Sequence, residues 1–191
     1  LTSIHLGGRP IALGGPEPNF WRAPMDNDGV KGWTGRQSKA LDRWKDQGIF
    51  EATHYVEQFT IRKQRDPVIC LTKGRLTSRV GKLRYRTEMI IGDAVIRLSH
   101  RFDVPKALRD LPRLGIRWRL ADDLEDFEWL GEGPHETYID RRASGQMLVH
   151  RSTVSEQYVP YILPQEHGNH TGIQWLSCGN ATTQASFHSA H

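Results

Sequence analysis

Five carboxylates, Glu128, Glu132, Glu136, Asp140 and Glu166, are the side chains that a two-carboxylate acid/base mechanism would draw on. That chemistry needs two carboxyls brought together with their pKa values pushed apart, one protonated while the other is ionised. Glu132 and Glu136 fall in a Gly-Pro turn, where the expectation is solvated carboxylates, so no catalytic residue is assigned to this chain. Tyr138, Asp140 and Arg141 instead suit a local Asp–Arg or Tyr hydrogen-bond network that fixes the turn. His167-x-x-His170 and His188-x-x-His191 have a spacing that serves metal ligation on a helix, but neither lies in a helical pattern, and no metal is expected. Residues 164–169 read structurally as a tight loop held by Glu and Asn bonds to backbone groups. Functionally they read as the rim of a sugar site, with Glu166, His167 and Asn169 as candidate contacts to hydroxyls.

A second polar cluster is Asp26-Asn27-Asp28-Gly29. Phe20 and Trp21 anchor the segment before it, Pro18 and Pro24 stiffen it, and Gly29 can take positive φ. An EF-hand is excluded on spacing, because Lys31, Trp33 and Arg36 follow where acidic ligands are needed. Residues 29–37 are expected to be the mobile part and Asp26 to Asp28 the better ordered part. Gly29→Ala is then expected to change ligand affinity and turnover together while barely altering stability. Of the tryptophans, Trp44 and Trp118 sit on periodic apolar faces and Trp21 is flanked by Phe20 and Pro24, so most belong to a core; Trp33 is the one expected at the surface.

The elements that must position these residues are mostly strands, because period-two alternation recurs while helical periodicity is scarce. Leu83, Tyr85, Thr87, Met89 and Ile91 alternate on one strand, Gly92-Asp93 forms a two-residue type II′ turn, and Ala94, Ile96, Leu98, His100, Phe102 and Val104 alternate on the return. Further strands are expected over residues 52–63, 68–71, 114–120, 127–130, 146–150, 173–176 and 185–188. One helix is expected from about Ser38 to Gln47, with Ser38 as N-cap, Leu41 and Trp44 as its apolar stripe and Gly48 as its stop. The fold class is all-β, an antiparallel sandwich with one short helix.

Composition narrows the function classes. A length of 191 residues with 37% hydrophobic and 25% charged content suits a globular domain with one sizeable core. The net charge of +4 is spread along the chain without a block of like charges, which speaks against nucleic acid. No apolar run approaches a membrane span, and Leu1-Thr2-Ser3-Ile4-His5 lacks a signal-peptide pattern, so a cytoplasmic protein with no membrane partner is expected. Lacking an initiator Met, the sequence fits a piece of a longer protein. Cys70 and Cys178 are expected as buried thiols.

An opening signature and four further motifs in order carry a resemblance. Pro18-Asn-Phe-Trp-Arg-Ala-Pro-Met-Asp-Asn-Asp-Gly29 resembles the signature near the start of the last domain of the multidomain β-galactosidases of glycoside hydrolase family 2, and Leu41-Asp-Arg-Trp-Lys45 resembles the helix that follows it. Leu111-Pro-Arg-Leu-Gly115 resembles that domain's middle strand start, and Gly131-Glu-Gly-Pro-His-Glu-Thr-Tyr-Ile-Asp-Arg141 resembles its Gly-x-Gly-Pro-x-Glu-x-Tyr-x-Asp-Arg. Pro160-Tyr-Ile-Leu-Pro-Gln-Glu-His-Gly-Asn-His170 is similar to Pro-Tyr-x-x-Pro-Gln-Glu-Asn-Gly-Asn-Arg, with His167 in place of Asn and His170 in place of Arg.

The resemblance implies a galactose-mutarotase-like supersandwich over residues 1–191, incomplete because the chain stops in what resembles the middle of a family strand. It implies an enzyme that hydrolyses terminal non-reducing β-D-galactose, whose two glutamates, roughly 5 Å apart in the retaining arrangement, lie in a β/α barrel absent from this sequence. This domain would wall the active site and support assembly, with Asp26, Asn27, Asp28, Gly29, Glu166, His167 and Asn169 at or beside the substrate. No cofactor is expected in this chain, and magnesium and sodium in the parent enzyme. Partners implied are the remaining domains or a large subunit, and a β-galactoside; exposed strand edges add self-association. The alternative is a free-standing carbohydrate-binding or mutarotase-like module.

Overall fold

Strand alternation and one short helix organise the described residues, 2–31, 39–63, 67–92, 95–108 and 110–189 of a computed structural model. In chain order these are β1 (Ile4–Leu6), β2 (Arg9–Asn19), α1 (Ala40–Gln47), β3 (Thr53–Lys63), β4 (Val68–Thr77), β5 (Lys82–Ile91), β6 (Ile96–Asp103), β7 (Gly115–Leu120), β8 (Asp126–Gly133), β9 (Gln146–Thr153), β10 (Trp175–Gly179) and β11 (Gln184–His188). The fold is all-β, its sheets antiparallel. Two units can be distinguished, Leu1–Glu17 with Ile116–His191, and Pro18–Gly115. No helix among the described residues is long and apolar enough to cross a membrane.

In the unit Pro18–Gly115, β3-β4-β5-β6 form one meander. Leu83, Tyr85, Thr87 and Met89 of β5 are buried while the residues between them face outward, as a half-buried strand requires. Leu76 and Leu83 join Phe20, Trp44, Ile49 and Leu108 in a core against which Leu41 and Phe102 pack, so the helix stripe lies on the sheet as expected. Each such apolar side chain contributes about 1.5–3 kcal/mol by leaving water. Gly48 ends α1 in the left-handed conformation at φ 64°, and its N–H returns to the Lys45 carbonyl at 3.0 Å. The N-cap position is Lys39, one residue later than expected; Ser38 lies outside the described residues.

The hairpin differs from expectation in register. Ile91 stands opposite Ile96, and the Gly92 N–H bonds the Val95 carbonyl at 3.0 Å, so Gly92 belongs to the paired flank and not to a two-residue Gly92-Asp93 turn. Asp93 and Ala94 lie outside the described residues. The cause is the period of a strand: a slip of two keeps every side chain on its face, so alternation fixes the face without fixing the turn. β4 also runs past residue 71 to Thr77, through Lys73, Gly74 and Arg75, which interrupt the apolar pattern.

The other unit is a two-sheet sandwich, β1-β2-β7 against β11-β10-β8-β9. Ile11 and Leu120 from the first sheet pack with Phe127, Leu176 and Cys178 from the second around Ala121 and Leu124, and the Trp118 and Phe187 rings meet across the layer at 6.0 Å. Cys178 is buried, with burial pushing its thiol up; Cys70, in the other unit, is only half-buried, and both are free thiols.

Candidate functional site

The Asp26 cluster is a structural turn. Asp26–Asp28 form a single 3-10 turn with Asp26 and Asp28 buried and Asn27 exposed. Arg22 grips the Asp28 carboxylate with two bonds, Nη1 to Oδ2 at 2.6 Å and Nη2 to Oδ1 at 3.1 Å, and the Met25 N–H donates to Oδ2 at 2.7 Å. The Arg22 guanidinium also lies 5.3 Å from the Trp44 ring centroid, which ties the turn to the core. Gly29 has φ 120°, and a Cβ there would meet Lys39 Cβ at 2.7 Å. The expectation that Gly29→Ala spares stability is therefore corrected: both backbone conformation and space at this position require glycine. Of the expected mobile stretch, residues 32–37 lie outside the described residues, as does Trp33.

In the sandwich unit, the segment after β8 and the segment before β10 are bound together around two carboxylates. Glu136 has a side chain only 4% exposed. It accepts from Arg141 Nη1 at 2.7 Å, Gly168 N–H at 3.1 Å, Tyr138 hydroxyl at 3.4 Å and the Tyr161 hydroxyl. Glu132 accepts both Arg142 Nε contacts, at 2.9 and 3.0 Å, with Arg142 Nη2 and the Thr171 hydroxyl in addition. These bonds hold the Glu132 carboxyl below the usual carboxylate range, the Arg142 contact first. Burial, then the Glu136 charge, pushes Tyr138 up to about 12.

Thr137, fully buried, joins the two carboxylates' surroundings. Its N–H donates to the Asn169 carbonyl at 2.7 Å, and its own carbonyl accepts Asn169 Nδ2 at 2.7 Å. The Thr171 N–H donates to Thr137 Oγ1 at 2.8 Å. Ionised Glu132 can only accept, so the Thr171 hydroxyl donates to it and the Thr137 hydroxyl must donate to Thr171 Oγ1, at 2.8 Å. The direction of every proton in this chain is thereby fixed.

Glu136 is thus buried and Glu132 half-buried, and both are satisfied, where solvated carboxylates were expected; the correction comes from partners distant in sequence. Arg141 pairs with Glu136, and Asp140 is exposed, so the turn's network is Glu–Arg–Tyr and not Asp–Arg. Asn169 holds its loop as expected, through backbone groups of Thr137, and Glu166 is half-buried. His167 is exposed, donating from Nδ1 to the Gln157 carbonyl at 3.3 Å, whereas His170 donates from Nε2 to Gln157 Oε1 at 2.7 Å and lies tilted against Trp129, ring centroids 4.1 Å apart. Burial lowers the pKa of His170 and leaves its Nδ1 unpartnered. No group of three or more His, Cys, Asp or Glu able to hold a metal forms among the described residues. The candidate residues fall in both units: Asp26, Asn27, Asp28 and Gly29 in one, Glu166, His167 and Asn169 in the other. The carboxylate network was the feature missed, and its sequence signal was the pair Arg141-Arg142 following Glu132 and Glu136.

The family model described as "Beta galactosidase small chain" matches residues 1–191. The chain is 28% identical over 180 residues to a protein named Beta-galactosidase from Priestia megaterium (strain DSM 319 / IMG 1521), a match covering 94% of the chain and 17% of that protein. It is 28% identical to a Beta-galactosidase from Psychromonas ingrahamii, covering 100% of the chain and 19% of the relative, and 30% identical to one from Arthrobacter sp. (strain B7), covering 91% and 18%. The chain therefore spans less than a fifth of the length of these relatives. Matched along its whole length, it belongs to the β-galactosidase small-chain family.

Proposed function

We propose that this chain works as part of a β-galactosidase that hydrolyses terminal non-reducing β-D-galactose, walling the active site and supporting assembly while both catalytic glutamates lie elsewhere. One observation carries the division of labour. A retaining glycosidase needs two carboxyls free to act on the sugar, one of them protonated near neutral pH, whereas Glu132 is held by Arg142 and Thr171 in a pairing that favours its ionised form. Glu136 is enclosed by four donor groups, which suits a structural carboxylate. Asp26, Asn27, Asp28, Gly29, Glu166, His167 and Asn169 remain the proposed substrate-side residues, and of these Asn27 and His167 present exposed side chains.

Magnesium and sodium are proposed for the parent enzyme on the family resemblance alone. Cytoplasmic location is proposed on the same family grounds. The test is complementation: a β-galactosidase from which this region has been deleted should regain turnover when the chain is added. Failure of the chain to bind the deleted enzyme would refute the assignment.

One observation favours a carbohydrate-binding module instead. An open groove of about 400 Å³, lined among others by Glu128, Arg151, Ser177, Asn180 and Gln184, lies on the sheet β11-β10-β8-β9 and mixes donors with acceptors as a sugar requires. Titration of the chain alone with galactose decides it: saturable shifts confined to these residues would favour this second function.

A further inference from the structure

Isoleucine side chains rarely stand fully in water on well-held segments, yet Ile162 is 99% exposed and Ile139 is 91% exposed. Tyr158 and Leu163 are exposed on the same stretch as Ile162. Both segments are fixed from behind by one buried carboxylate. Tyr161, next to Ile162, donates its hydroxyl to Glu136, while Tyr138 and Arg141, on either side of Ile139, bond the same group, and Arg141 Nη1 reaches the Tyr161 hydroxyl at 3.2 Å. Apolar side chains held in place before binding lose little freedom on binding, and exposed apolar surface rimmed by polar groups marks an interaction site.

We propose that Ile139, Tyr158, Ile162 and Leu163 form a docking surface for the remaining polypeptide of a β-galactosidase, an inference that rests on the functional assignment above. The occupant follows from the relatives, in which the matched region is less than a fifth of one polypeptide, so the rest of the same protein is the surface available to cover it. The covering surface must be apolar at its centre, since both isoleucines offer no hydrogen bond, and must leave room for the half-exposed Arg141 at the margin.

The test is assembly of the whole chain with the remainder of its enzyme, followed by sedimentation and by turnover of a nitrophenyl β-galactoside. Ile162→Asp combined with Ile139→Asp is expected to weaken assembly by about thirtyfold or more, the scale on which burial of such side chains contributes. The variant chain should keep the wild-type circular dichroism, since both side chains already face water. Wild-type assembly unaffected by both substitutions would overturn the surface and leave the functional assignment standing. Failure of the wild-type chain to assemble would overturn that assignment, and the surface with it. A dimer of the chain alone that Ile162→Asp dissociates, beside normal enzyme assembly, would make the occupant a second copy and refute the proposal.

Discussion

The backbone N–H of Gly168 donates to the Glu136 carboxylate at 3.1 Å, joining two segments 32 residues apart. Gly168 has φ 71°, a conformation that glycine adopts without strain, and this aims its N–H at the carboxylate. Together with Arg141, Tyr138 and Tyr161 it makes Glu136 the fastener of the segments that carry His167 and Asn169. Glu136→Gln should lower stability by about 1.5–3 kcal/mol, the scale of hydrogen bonds to a charged group, with the lower end favoured because Arg141 regains water. A urea midpoint unchanged by the substitution would show that the carboxylate is not holding the loops.

Tyr138 gives an alkaline signature. Its folded pKa is about 12, above the ordinary phenol value of 10.0, so the unfolded chain loses its proton first. Stability from this group is complete below pH 10 and is lost as pH rises from there through the folded value. Spectrophotometric titration of Glu136→Gln should show one tyrosine ionising earlier than in wild type, still above ordinary because burial is the larger cause.

His170 acts at the other end of the scale. Burial lowers its folded pKa below the ordinary 6.5, so the unfolded state binds the proton first and stability is lost as pH falls from 6.5 through the folded value. His170→Phe keeps a ring against Trp129 and should flatten this part of the stability profile. His100, lowered by its own burial, contributes a slope of the same sign in the other unit, so a residual slope is expected until His100 is also replaced.

The sequence made the faces of the strands readable, and hid what depends on distance along the chain. Alternation placed Tyr85, Thr87 and Met89 on the inner face correctly while leaving the hairpin register open by two residues. β1 and β2 went unexpected because Pro10, Gly14, Gly15, Pro16 and Pro18 break any alternation within β2. The helix, its Trp44 stripe and its Gly48 stop were legible because all three are local. Burial of Glu136 and enclosure of Glu132 were not, since Tyr161, Gly168 and Thr171 stand 25 to 39 residues from the carboxylates they meet.

Gly29 tests the corrected role of the first cluster. With φ 120° and Lys39 Cβ 2.7 Å from any added Cβ, Gly29→Ala should cost about 1–3 kcal/mol, the range for a side chain forced into a disfavoured backbone region. Thermal unfolding checks it; a melting temperature equal to wild type would return Gly29 to a purely kinetic role.

Strand β3 lies at the edge of its sheet and leaves Tyr55, Val56, Phe59 and Ile61 between 46% and 58% exposed. Such an edge invites pairing with another copy. Concentration-dependent self-association of the chain is expected, with Val56→Lys and Phe59→Lys together suppressing it. Light scattering that reports a monomer at high concentration would contradict this.

The most direct measurement is hydrolysis of a nitrophenyl β-galactoside by the rigorously purified chain, alone and then with the remainder of the enzyme. With Glu132 and Glu136 engaged by Arg142 and Arg141 in structural pairs, the chain alone should give no rate above buffer, and turnover should appear on assembly. A rate that scales with the concentration of the isolated chain, and that Glu132→Gln or Glu136→Gln abolishes in a folded variant, would contradict the account.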